Sequence, residues 1–117
     1  FGDDDSRLGE HAWFSGNSGG RTHPFGEKPA NAWGLHDMHG NVWEWVADCW
    51  NDSYAEKPES LKASGGTWTT GDCDHRVLRG GSWIDLRRNL RSADRNRNDR
   101  GYRSYFNGFR LARTLTP

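Results

Sequence analysis

No stretch of this chain carries the aliphatic repeat from which a helical core is built. No window of about a dozen residues places apolar side chains at i, i+3, i+4 and i+7. Apolar residues make up 32% of the 117, close to the level of chains that stay disordered. The aromatics argue the other way. Seven Trp, five Phe and three Tyr are far more than a disordered chain carries. The length suits one domain, and the absence of any long apolar run excludes a membrane-spanning helix and a coiled coil.

Strand signals are short. Residues 41–46 alternate and are aromatic, 76–79 stop at Gly80-Gly81, and 109–113 alternate with Phe109, Leu111 and Arg113 on one side. Between them lie long Gly-, Asn-, Asp- and Ser-rich segments, of which 51–74 reads as a single excursion. Loops of this length need anchors other than aliphatic packing. Trp33, Trp43, Trp45, Trp50, Trp68 and Trp83 suit that task, because an indole buries a large area and offers an N–H. Of these, Trp33, Trp43, Trp45 and Trp83 are expected to be largely buried. Bound cations are the other usual device. Cys49 and Cys73 allow three readings: a disulfide closing the base of the excursion, two buried thiols, or a redox pair. Two cysteines alone cannot make a four-ligand zinc site.

Formal net charge is zero, which gives no support to nucleic acid or a membrane as partner. The balance hides a polarity. Acids dominate the first half, whereas every basic residue from Arg76 onward is Arg and the only acids there are Asp85, Asp94 and Asp99. Arg offers bidentate hydrogen bonds that Lys does not, and the simplest use for them is pairing with the acidic half. The opening FGDDDSRLGE has no apolar stretch, so no signal peptide is legible there, and the compartment is not readable.

The block NAWGLHDMHGNVWEW at 31–45, then RVLRGGSW at 76–83, LRSA at 90–93 and GFRLAR at 108–113 closely resemble the formylglycine-generating enzyme (sulfatase-modifying factor) family, in the family's order. The resemblance implies an α+β, loop-rich variant of the C-type lectin fold with little regular structure. It covers about the C-terminal half of the usual domain. Residues 1–117 are therefore expected to be the C-terminal part of one domain, completed by an upstream segment or a second chain. Catalytic members carry a copper-binding cysteine pair just after the Gly-Gly-Ser-aromatic block. Residues 82–91 here hold no cysteine, and Cys49 and Cys73 precede the block, so no copper is expected. The His triad of iron-dependent sulfoxide-synthase relatives is absent as well. The segment 40–44 resembles a family calcium site, which implies Asn41 and Glu44 as side-chain ligands with carbonyls of His39, Gly40 and Val42. The competing reading has Asn41 and Glu44 capping a turn, with Glu44 taking an Arg such as Arg79.

Residues 84–108 contain no Lys, Glu, Met or Trp, where about four are expected from their frequency in the rest of the chain. Those types are unreachable when any base replaces the adenines of an AAY codon. The pattern resembles the variable proteins of diversity-generating retroelements, which use this fold. A basic, loop-rich surface that disfavours those types is the alternative. The segment suits a ligand face for a protein or other macromolecule, with Ile84, Asp85, Leu86, Arg87, Asn96, Asn98, Tyr102, Ser104, Tyr105 and Phe106 as contact residues. Arg91, Arg95 and Arg110 read instead as structural ties. The expected function is non-catalytic ligand binding, against an enzyme or enzyme subunit whose catalytic residues lie outside this chain, or a domain that docks through its Trp-rich face.

Overall fold

A computed structural model describes residues 5–112. Four strands form one sheet: β1 (Trp43–Trp50), β2 (Asp72–Arg79), β3 (Asn96–Asp99) and β4 (Asn107–Gly108), in the order β3-β2-β1-β4. β2 runs antiparallel to both neighbours, and β4 runs parallel to β1. The residues between β3 and β4 therefore cross from one edge of the sheet to the other. β1 begins on the aromatic alternation Trp43-Glu44-Trp45 and outlasts it by pairing with β2, its register breaking on either side of Cys49.

Two short helices accompany the sheet, although helical periodicity is weak throughout. The first, α1 (Leu8–His11), feeds a small core in which Leu8, Ala12 and Phe14 meet Leu90 from a 3-10 turn at Arg87–Leu90. The second, α2 (Glu59–Ser64), lies inside the long excursion. It starts after Pro58, and a left-handed Gly65 ends it. The remaining core is Trp43, Val77, Leu78, Trp68 and Cys49.

Two expectations are corrected, and a third in part. Trp43 is buried, but Trp45 and Trp83 are half-buried and Trp33 is 84% exposed. Trp33 sits on a turn closed by Asn31, whose side chain accepts from the backbone N–H groups of Trp33 and Leu35, and this local closure leaves the indole outside. The strand read at 109–113 is not formed over 109–112. Phe109 and Leu111 are exposed, and the pairing falls on Asn107-Gly108 instead. Arg113 lies outside the described residues. The arginines divide: Arg97, Arg100 and Arg110 pair with Asp52, Asp74 and Glu44, while others bond backbone oxygens. Arg76 donates to the Ala47 carbonyl, Arg79 to that of Ser92, and Arg95 to that of Asn51. Loops leave many carbonyls without strand partners, and the guanidinium fork answers that need.

Cys49 and Cys73 are joined in a disulfide that closes the excursion. Above it, Asp48 accepts from the Trp68 N–H and pairs with Lys57, both side chains being largely buried. Arg95 lies against the rings of Tyr54 and Trp50, 4.0 and 4.5 Å from their centroids, and holds the excursion to the strand edge.

Candidate functional site: an aromatic rim on a hydrogen-bonded frame

The turn that enters β1 is a meeting point of three backbones. Gly40 N–H donates to the Gly80 carbonyl, Asn41 N–H to that of Trp13, and Trp83 N–H to that of Asn41. Asn41 adopts a left-handed φ of 63°, which Asn tolerates better than most residues. Its amide bonds His23 at both ends, accepting from the backbone N–H and donating to the carbonyl. Glu44 faces Arg110, whose Nε and a terminal nitrogen lie 2.8 and 2.6 Å from its two oxygens. The same guanidinium reaches the carbonyls of His36 and Asp37, and the Glu44 carboxylate raises the Arg110 pKa.

Both side chains expected as calcium ligands have protein partners here. The Glu44 oxygens face a guanidinium, and the Asn41 carbonyl oxygen accepts from the His23 N–H. Among the described residues no group of three His, Cys, Asp or Glu could hold a metal ion. Asn41 and Glu44 thus tie this turn, with Glu44 taking Arg110 rather than Arg79. Replacing Arg110 by Met should cost about 2 kcal/mol, the scale of a half-buried charged hydrogen-bonded pair left with one member. Urea unfolding measures it. The double variant with Glu44→Gln should recover part of the loss; no recovery would mean that the pair does not interact.

From Ser82 the chain turns out to the surface. Ser82 is fully buried, and its N–H and hydroxyl both donate to Asp85 Oδ2. Asp85, read from sequence as a contact residue, is instead the cap of this turn. The Trp83 carbonyl accepts from the Ser18 hydroxyl. The rings of residues 83–106 then gather. Trp83 and Tyr105 lie 5.9 Å apart between centroids, Tyr105 and Phe106 5.4 Å in an edge-on pair, and Tyr102 and Phe106 6.5 Å. Tyr105 is 71% exposed, Tyr102 44%, and the neighbouring Ile84 and Leu86 about half.

The ten expected contact residues do not form one face. Tyr102, Tyr105 and Phe106 come together, and Ile84 and Leu86 are exposed. Asn96 and Asn98 sit in β3, at the sheet edge opposite β4. Ser104 is half-buried, its hydroxyl accepting from the Phe106 N–H. Arg87 stands over the Phe14 ring at 5.4 Å. Arg91, Arg95 and Arg110 are tied to backbone oxygens, as structural residues would be. Trp83 was not read as part of the site; its position directly before the skewed segment was the available signal. Among the described residues, no helix is long and apolar enough to cross a membrane.

The model of the sulfatase-modifying factor enzyme 1-like domain matches residues 3–115. The chain is 40% identical over 92 residues to serine/threonine-protein kinase pkn1 of Chlamydia caviae, covering 79% of this chain and 15% of that protein. Among solved structures it is similar to Treponema denticola variable protein 1, with a TM-score of 0.78 and 31% identity over 91% of this chain and 37% of that one. It is also similar to PvdO from Pseudomonas aeruginosa, with a TM-score of 0.75 and 40% identity over 86% of this chain and 38% of that one. The chain thus spans well under half the length of each. The loop-rich α+β, C-type lectin-like architecture expected from the sequence blocks is the one found.

Proposed function

The chain belongs to the sulfatase-modifying factor enzyme 1-like domain family, and from that premise we propose that it is a non-catalytic binding module whose ligand face is the aromatic rim at 83–106. The observation that carries this reading is the gathering of Trp83, Tyr102, Tyr105 and Phe106, with Tyr105 largely and Tyr102 nearly half in water. Aromatic side chains held beside buried framework give contact area at small entropic loss, the economy of antibody loops. Ile84 and Leu86 enlarge the apolar surface. The stretch 82–91, where catalytic relatives carry thiols, has none.

The likeness to a protein named as variable supports the further reading that this rim is diversified. On that reading the framework from Ser82 and Gly40 holds constant while exposed positions in 84–107 change. The ligand is a protein or other macromolecule.

A display library randomised at Ile84, Leu86, Tyr102 and Tyr105, panned against hen lysozyme, tests the proposal. Folded clones should be the rule, and selected binders should lose affinity by about fivefold to a hundredfold when position 105 is returned to Ala. A library that is mostly unfolded, or one without binders, would overturn it. The parent chain should show no copper-dependent oxidation of a cysteine-containing peptide.

A further inference from the structure

A second surface, sharing no residue with the ring cluster, is a cleft of about 980 Å³ between the loop at 29–39 and the turn at 87–93. One wall is apolar: Trp33, Leu35 and Met38 line it, and each is well exposed. The opposite wall carries Arg87 and Arg91. Arg91 spends its Nε on the Arg88 carbonyl. Neither guanidinium has a carboxylate partner among the described residues. Asp37 is the single acid among the described residues lining the cleft, and it is buried. One of its carboxylate oxygens accepts from the Gly26 N–H, while the other is buried without a donor.

We propose that this cleft docks a polypeptide segment that is apolar and acidic, lodging an aliphatic or aromatic side chain against Trp33, Leu35 and Met38 and a carboxylate against Arg87 and Arg91. Charge complementarity selects the acidic partner. The bidentate guanidinium geometry favours a carboxylate. An indole this exposed, beside two further apolar side chains, is the anchor type that dominates interface energies. The inference does not depend on the cluster of Trp83, Tyr102, Tyr105 and Phe106.

The test is fluorescence polarisation with two labelled peptides of the same Leu and Phe content, one alternating them with Asp and Glu, the other with Lys. The acidic peptide should bind saturably and at least about tenfold more tightly. Trp33→Ser should weaken it by about thirtyfold with the melting temperature nearly unchanged, since the indole packs on so little. Arg91→Glu should shift the preference toward the Lys peptide. Equal binding of both peptides, no saturable binding, or indifference to Trp33→Ser would overturn the proposal. So would a large loss of melting temperature in Trp33→Ser. A concentration-dependent dimer in sedimentation velocity that Trp33→Ser abolishes would overturn it in favour of a second copy as occupant.

Discussion

Replacing Gly40 by Ala should abolish the folded state. A Cβ there would lie 2.1 Å from the Trp13 carbonyl oxygen and 3.0 Å from its nitrogen, both backbone atoms that no rotamer change can move. The residue also sits at a φ of 74°, where an L side chain is strained. The same point carries the Gly40 hydrogen bond to Gly80 and the Asn41 hydrogen bond to Trp13, so any shift that relieves the clash breaks the knot from which β1 and the rim emerge. The expected loss is more than about 4 kcal/mol, most of the stability of a domain this size. Gly34→Ala is the control. Its φ is similar at 76°, but a Cβ meets nothing within 4 Å, so only the conformational term of about 1 kcal/mol should appear. Circular dichroism during urea titration distinguishes them. Equal behaviour of the two variants would mean that the three-backbone crossing is not as tight as described.

The second large effect belongs to the Cys49–Cys73 disulfide. It closes a loop with a sequence separation of 24, and loop-closure entropy gives about 3 kcal/mol for a loop of that length. The base of the loop has other ties: Cys49 N–H donates to the Trp68 carbonyl, and Asp48 accepts from Trp68 and Lys57. The Cys49→Ser/Cys73→Ser variant should therefore still fold in water, unfolding at lower urea with the loss of about 3 kcal/mol. A loss below about 0.5 kcal/mol would show that the excursion is held by Trp68, Lys57 and Arg95 alone.

Part of this was legible in the sequence. The fold followed from four ordered blocks, and β1 from its aromatic alternation. Its extension through Ala47, Asp48 and Cys49 was not, because those residues have no strand preference of their own and are kept extended by β2 across the sheet. The alternation of Phe109 and Leu111 pointed to a strand that does not form. The pairing of Asn107-Gly108 with β1 is a long-range parallel contact without a local pattern. Trp33 misled because a large indole in a chain short of aliphatics suggests a buried loop anchor, whereas the Asn31 turn leaves the indole outside. For the site, the skewed composition at 84–108 pointed to the segment that carries the ring cluster but not to its division. Leu90 fell into the core, Asp85 became a cap, β3 took Asn96 and Asn98 to the far edge, and the rings alone gathered. Composition cannot separate these fates, since each depends on what lies opposite in the fold. The Glu44–Arg110 pair, 66 positions apart, was half legible: an Arg partner was foreseen for Glu44, but the nearer Arg79 was the candidate.

The central claim is that the rim at 83–106 is surface built for contact and not part of what holds the fold together. The most direct test is the melting temperature of the fourfold variant Ile84→Ala, Leu86→Ala, Tyr102→Ala and Tyr105→Ala, set beside Trp43→Ala. Trp43 is buried under the sheet's framework, and its truncation should cost about 3–5 kcal/mol and bring the chain near unfolding. The fourfold variant should melt within a few degrees of the parent, because the four side chains stand about half or more in water. A fourfold variant that melts as early as Trp43→Ala would contradict the account and make the rings core.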